Sequence, residues 1–529
     1  VRPDGTGGRR VRGGNGVHAV LGPWARRGHR LTVTVHEDGP GEVDQCLLVD
    51  PETGDGEELA TGALLQVLDL SEDERFVLLR EGPRGAQRCR LLDRSAGHSE
   101  FLLPFPTIGA TELGILRPGD PADGVAMIAY LVTDAGLPRR GLVAVPVGSD
   151  GRRGHVGVVA ARPDAELELV DADRNGQTML LVWNVGGDSE VELLERSGRD
   201  RRPVGGLPGT VVDGAVLSRD GSRVVLSVEG PRQPRRIYEL AGGEDPWAPV
   251  TEQSFDGGDL VLPSRERFVS HDGLELEGWL YRAAAPSSGR VPPAPPPAAV
   301  YLHGGPEAQE RAGFSPQHQL LAAAGITVFA PNIRGSAGYG RAFVHADDRY
   351  GRLDAIGDVA ACADLLVRRG LADPGRIAVV GRSYGGYATL MSLAHHPETF
   401  AAGVDVCGMS DLLTFYRDTE PWIAQAAVTK YGDPERDGWL LARLSPLRRV
   451  RDIRAPLLVV HGELDTNVPL GEARQVVAAL EALGRPVEYL ELAGEGHEYR
   501  RADSRLRLLL SVLGFLDRTL QPRRSGGGG

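Results

Sequence analysis

Lysine is almost missing from this chain. Lys430 is the only one in 529 residues, so nearly all the positive charge is arginine. That bias reads as genome composition rather than as chemistry. Positive charge is also in the minority: 59 Lys and Arg face 72 Asp and Glu, a net charge of -13. With no basic block to neutralise phosphates, a nucleic-acid role has no electrostatic support. No apolar run approaches the ~20 residues that a membrane helix needs. The opening stretch "VRPDGTGGRRVRGGNGVHAVLGPW" has arginines but lacks the apolar core of ~7–15 residues that marks a secretory signal. A cytoplasmic protein is therefore expected. The valine at position 1 points to an alternative start codon or to a cut inside a longer chain. Cysteine is scarce too. Cys46, Cys89, Cys362 and Cys407 are scattered without metal-ligand spacing, which predicts buried free thiols and no metal centre.

What the chain does have is length, with 41% hydrophobic and 25% charged residues, as in ordinary globular protein. The length suggests roughly two to four domains. The first 250 or so residues carry a repeat. "LSEDERFVLLREG", "GDPADGVAMIAYLVTD", "VDADRNGQTMLLVWN" and "LSRDGSRVVLSVEG" each place a polar turn with an aspartate before an apolar strand. The marker residues are Asp73, Asp123, Asp173 and Asp220, and a weaker copy begins near Ala25. Four short strands in every ~40–50 residues is the signature of propeller blades. A β-sandwich would show turn signals without an Asp-marked period. About five blades are expected over residues 1–255.

The texture changes after residue 255. "RERFVSHDGLELEGWLYRAA" reads as a hairpin turning at Asp272-Gly273, and a Pro-rich stretch follows. From there apolar runs such as "AVYLHGG", "ITVFAPN", "RIAVVGRS" and "APLLVVHGE" alternate with helical patterns. Runs of this kind are buried in parallel sheets. The alternation predicts a doubly wound, mostly parallel α/β domain over residues 256–520, whose function sits beyond the carboxyl ends of the strands. The tail, 521–529, is expected to be disordered.

Ser383 lies in "VVGRSYGGYATL", between Gly381 and Gly385, after an apolar run and before a helix. Strand, G-x-S-x-G, helix is the nucleophile elbow of an α/β-hydrolase fold. A serine hydroxyl needs a base, and the base needs an acid to hold its tautomer. This fold supplies them in the order Ser, Asp or Glu, His, each after a later strand. Asp465 follows "APLLVVHG", with Glu463 and His461 as neighbours, and His497 follows "VEYLELAG", flanked by Glu495 and Glu498. His395 and His396, near a helix end, read as structural or exposed. An oxyanion needs backbone donors. The N–H of Tyr384, the residue after the serine, and one from the loop "HGGP" at 303–306 are the candidates.

Together, "HGGP", "NIRGSAGYG", "GRSYGGY", "SPL", "HGELDTNVP" and "GEGHEY" resemble the prolyl oligopeptidase family of serine peptidases, nearest its acylaminoacyl-peptidase and dipeptidyl-peptidase-like branches. The resemblance covers residues ~260–520 closely. It implies a triad of Ser383, Asp465 and His497, oxyanion donors from Gly305 and Tyr384, and a substrate-binding role for Asn467. It also implies an N-terminal propeller, usually of seven or eight blades. The paired glutamates that grip a free N-terminus in dipeptidyl peptidases have no clear counterpart, although Glu190 and Glu192 are acidic candidates.

The expected function is hydrolysis of short or acylated peptides by a serine peptidase without cofactor, nucleic acid or membrane, with homo-oligomerisation left open. The alternatives are an esterase, amidase or peptide cyclase tailoring a small metabolite or precursor peptide. A binding module built on a relic hydrolase is a third reading, disfavoured because every triad and oxyanion candidate is present.

Overall fold

A computed structural model describes residues 17–37, 43–104, 109–196, 200–240, 246–250, 255–284 and 294–521. The tail beyond residue 521 and most of the Pro-rich stretch, 285–293, lie outside the described residues.

Between Val17 and Pro249 the described strands form five four-stranded antiparallel sheets, each in sequence order. Their first strands are Val17–Trp24, Gln66–Leu70, Thr111–Pro118, Glu166–Ala172 and Val211–Leu217. Successive sheets pack through these first strands. The aspartates of the repeat all fall in the turn between first and second strands. Asp73 accepts from Ser71 Oγ at 2.6 Å, and Asp173 accepts from Gln177 N at 2.7 Å. In the third sheet the turn-closing carboxylate is instead Asp120, which accepts from Ala122 N at 2.8 Å.

Alternation along a strand explains why second strands such as Phe76–Glu81 and Thr178–Val185 carry long apolar runs. Side chains on a strand point to opposite faces in turn. Val77 and Leu79 pack with the first sheet's core, while Phe76 and Leu78 pack with the third sheet's. Met179, Leu181 and Trp183 face one neighbouring sheet, and Leu180 and Val182 the other. Each fully buried side chain of this kind is worth about 1.5–3 kcal/mol. Arg117, almost unexposed, ties three sheets together through Asp69 (3.3 Å), Asp171 (3.2 Å) and the Ala172 carbonyl (2.7 Å). This stack of radially packed sheets is the all-β propeller.

The rest is an α/β-hydrolase domain around one eight-stranded sheet. Its strands are β1 (Ser264–Val269), β2 (Glu275–Tyr281), β3 (Ala298–Leu302), β4 (Thr327–Asn332), β5 (Ile377–Arg382), β6 (Ala402–Val406), β7 (Leu457–Gly462) and β8 (Val487–Leu492). The order across the sheet is β1-β2-β4-β3-β5-β6-β7-β8. β1 and β2 form the hairpin at Asp272-Gly273, and β2 meets β4 antiparallel. All later pairs are parallel. Helices Arg352–Arg368, Tyr384–His395 and Gly471–Ala482 bury apolar residues against one face, and Pro316–Ala323 and Ala502–Thr519 against the other. Between β6 and β7 the chain makes an excursion through three short helices, Leu412–Asp418, Pro421–Tyr431 and Gly438–Arg443.

The carboxyl ends of the parallel strands face the propeller. Arg139 of the third sheet donates to the Gly338 carbonyl at 3.0 Å. Arg311 reaches Glu168 of the fourth sheet at 2.6 Å. Thr429, in the excursion, donates to the Arg84 carbonyl of the second sheet at 2.9 Å.

Candidate active site

Ser383 occupies the single residue between β5 and the helix Tyr384–His395. Its backbone is at φ 56°, ψ -118°, a region that a residue with a Cβ occupies only at a cost of about 1–3 kcal/mol. Glycine on either side makes the turn feasible. A Cβ on Gly381 would run into the Gly385 backbone, and one on Gly385 would run into the Leu302 carbonyl of β3. The helix can therefore start against the sheet at once, with the hydroxyl standing above it.

The loops after β7 and β8 bring Asp465 and His497 to this hydroxyl. His497 Nε2 lies 3.2 Å from Ser383 Oγ, and its Nδ1 lies 2.8 Å from Asp465 Oδ2. The other Asp465 oxygen accepts from the N–H groups of Asn467 and Val468, both at 3.0 Å. These donors fix the orientation of the carboxylate. Burial disfavours a charged imidazole, but the hydrogen bond to Asp465 and the adjacent Cys407 thiol outweigh it, so the His497 pKa is raised.

The neighbouring residues have other work. Glu463 accepts from Gly494 N at 2.8 Å, and Glu495 accepts from Arg500 N at 2.8 Å. His461, wholly buried, faces the Val468 carbonyl at 2.8 Å, and Glu498 is exposed beside Arg382. His395 and His396 end the elbow helix and line a separate groove with His271. Glu190 pairs with Arg162 and Glu192 accepts from Trp183 Nε1; neither lines the reaction pocket.

A cavity of about 230 Å³ opens beside Ser383. Gly305 and Tyr384 border it together with the serine and His497. Among the described residues neither the Gly305 nor the Tyr384 N–H has a protein acceptor. The second is one of the free N–H groups that every helix start leaves, and the helix dipole adds positive potential there. Asn467 also borders the cavity, half-buried, and its carboxamide makes no hydrogen bond among the described residues.

The remaining walls come from residues that carry no local motif. Met409, Phe415, Trp422, Ile423 and Tyr431 are apolar or aromatic and belong mainly to the β6–β7 excursion. Arg84 enters from the propeller, 3.4 Å from the Gly305 carbonyl. Lys430 lies at the margin, buried among carboxylates. A long chain separation hides such residues from sequence reading. Trp422 had one usable signal, an aromatic placed directly after the proline that opens its helix.

Residues 312–523 match the prolyl oligopeptidase family. Dipeptidyl aminopeptidase BIII of Pseudoxanthomonas mexicana is 33% identical over 276 residues, 51% of this chain and 40% of the relative. An acylamino-acid-releasing enzyme of Arabidopsis thaliana is 28% identical over 228 residues, 41% of this chain and 29% of the relative. The matched stretches thus span well under half the length of these relatives. A solved puromycin-hydrolyzing peptidase of Mycobacterium tuberculosis superposes with a TM-score of 0.84 at 20% identity, covering 97% of this chain and 80% of that one. That likeness extends the shared fold across both the propeller and the α/β-hydrolase domain. The match to the prolyl oligopeptidase family thus falls within the α/β-hydrolase domain, on the stretch that carries the serine, aspartate and histidine motifs and strands β5 to β8 of the sheet.

Proposed function

We propose that the chain is a serine peptidase acting on short peptides, with Ser383 as nucleophile, His497 as general base and Asp465 as the group that orients it. The observation that carries this reading is the unbroken hydrogen-bonded line Asp465–His497–Ser383 beside a cavity bordered by two unclaimed N–H groups. Ser383 Oγ attacks the scissile carbonyl and His497 Nε2 takes its proton. The carbonyl oxygen, now negative, is held by the N–H groups of Gly305 and Tyr384. His497 returns the proton to the leaving amine, and water releases the acyl-enzyme by the same route.

The names of the relatives support a peptide substrate: dipeptidyl aminopeptidase, acylamino-acid-releasing enzyme and puromycin-hydrolyzing peptidase. The apolar walls suit a hydrophobic side chain before the scissile bond. Asn467 and Arg84 are assigned to the substrate's backbone on the same side. Residues 1–255 act as the propeller domain that walls the strand ends and 256–520 as the catalytic domain, so that short peptides enter and folded proteins do not. Cytoplasmic residence is part of the proposal, and the four free thiols fit a reducing compartment.

The test is a kinetic panel of N-acetyl-alanyl, free alanyl, internal-prolyl and p-nitrophenyl-ester substrates. Turnover of a peptide amide that disappears in Ser383→Ala supports the reading. Ester turnover with every amide inert overturns it in favour of a tailoring hydrolase.

A further inference from the structure

Cys407 directly follows β6 and stands behind the imidazole of His497. The residue is fully buried, and its backbone is left-handed at φ 45°. Its N–H donates to the Val460 carbonyl at 2.8 Å, which continues the parallel ladder and pins it between β6 and β7. Its thiol, an Asp465 oxygen and a His497 ring nitrogen all lie within 4.8 Å of one another. Three residues distant in sequence thus converge as thiol, carboxylate and imidazole.

These are the ligand types that Zn²⁺ takes. The bonds are roughly 2.3 Å to sulfur and 2.0–2.2 Å to nitrogen or oxygen, so a tetrahedral site wants its ligand atoms about 3.3–3.6 Å apart. The groups reach that spacing by shifts of about 1 Å or less. A second observation points into the same space. The Tyr499 hydroxyl lies beside the Cys407 thiol, on a residue 2% exposed, and has no other hydrogen-bond partner among the described residues. A buried oxygen with unused lone pairs is a further donor for an ion held there.

We infer that Cys407, Asp465 and His497 form a binding site for a thiophilic divalent cation of the Zn²⁺ class, and that filling it silences Ser383. The thiol loses its proton to solvent and binds as thiolate. His497 binds through Nδ1, the nitrogen that faces Asp465, and the ring proton moves from Nδ1 to Nε2. Nε2 then presents a hydrogen to Ser383 Oγ and accepts none. Silencing rests on the reading of His497 as base, whereas binding of the ion does not.

The probe is Co²⁺ added to the reduced, full-length protein, followed by the near-ultraviolet charge-transfer band of a cobalt thiolate. One equivalent forms the band in the parent and in Cys46→Ser, and the band is lost in Cys407→Ser. His497→Gln keeps the thiol and weakens Co²⁺ binding by about 100-fold or more, which preserves the test if Cys407→Ser does not fold. In parallel, Zn²⁺ slows fluorophosphonate labelling of Ser383 in the parent, EDTA restores it, and labelling of Cys407→Ser ignores Zn²⁺. No band in the parent, a band that survives in Cys407→Ser, or equal Zn²⁺ sensitivity in the two proteins overturns the site. Failure of the untreated parent to label overturns the serine reading and leaves the cobalt result standing on its own.

Discussion

The ammonium group of Lys430, 1% exposed, lies 3.0 Å from the Glu307 carboxylate. Lys430 is on the helix that walls the cavity, and Glu307 follows the Gly305-Pro306 turn that borders the same cavity. Lys430 also meets Asp348 at 2.7 Å and donates to the Val344 carbonyl at 2.7 Å. Next to it, unexposed Arg352 pairs with Asp347 and lies 4.9 Å and 4.8 Å from the ring centres of Tyr384 and Tyr431. One ionic cluster thereby joins the pocket helix, the loop 303–306 and Tyr384.

Lys430→Met removes the ammonium from the half-buried Glu307 and Asp348, which keep Arg84 and His345 as partners, and from the fully buried Asp347. Breaking a fully buried pair costs about 3–5 kcal/mol, which is the upper limit here because two of the three carboxylates keep solvent or another partner. Denaturant titration is expected to read a stability loss up to that size. Peptide kinetics are expected to show a fall in kcat larger than the change in KM, because the loop 303–306 loses its anchor. An unchanged midpoint together with an unchanged kcat would refute the anchoring role.

The pH profile follows from the raised pKa of His497. A base must be neutral to accept a proton, so the rate of acylation climbs as pH rises through the His497 pKa. The limb is expected above 6.5, the ordinary value for histidine. The Asp465 pair also stabilises the fold in its charged form. That contribution is complete below about 6.5 and is lost as pH rises through the folded-state pKa. Asp465→Asn should move the rate limb to lower pH and cut kcat by on the order of 10⁴-fold. A limb at or below 6.5 in the parent contradicts the argument.

The cavity predicts substrate preference. Its volume of about 230 Å³ and its apolar walls favour leucine or phenylalanine over glycine or aspartate before the scissile bond. Ile423→Trp fills part of the space and is expected to reverse the ranking of phenylalanyl and alanyl substrates. The change in kcat/KM should be about 10–100-fold, the range that a few methylenes of pocket contact command. Equal loss for both substrates would mean that the side chain binds elsewhere.

Asn467 and Arg84 are expected to act on substrate backbone rather than on the proton transfers. Asn467→Ala removes one neutral hydrogen bond, worth about 0.5–1.5 kcal/mol, and should lower kcat/KM by about 2–13-fold with no shift in the pH limb. Arg84→Ala should lower it further, because a charged donor is lost. A shifted limb in either variant would assign that residue to the proton-transfer machinery instead.

The parts of the site legible in the sequence are those with a local cause. Ser383 is set by a strand end, two glycines and a helix start within a few residues. Asp465 and His497 fall in the loops after β7 and β8, in the chain order that the fold predicts. The blade repeat is legible because the first turn of the second to fifth sheets carries an aspartate, although in the third sheet Asp120 closes the turn near the marker Asp123 and the first sheet's turn, residues 25–30, has none. The remainder depends on residues that meet only in three dimensions. Arg84 touches Thr429 across 345 positions of chain. Cys407 looks like any buried thiol until β6 and β7 set it against His497. Lys430 is visible in the sequence only as a compositional oddity, yet it is buried at the centre of the ionic cluster. The short helices between β6 and β7 alternate apolar and polar residues too briefly to mark a pocket wall.

The most direct test of the central claim is intact-mass analysis after a fluorophosphonate, alongside peptide hydrolysis, for the parent and Ser383→Ala. The account predicts one adduct per parent chain, mapped to Ser383, with amide hydrolysis abolished by the adduct and absent from Ser383→Ala. Full peptide hydrolysis by Ser383→Ala, or an unlabelled parent that still cleaves peptides, would contradict it.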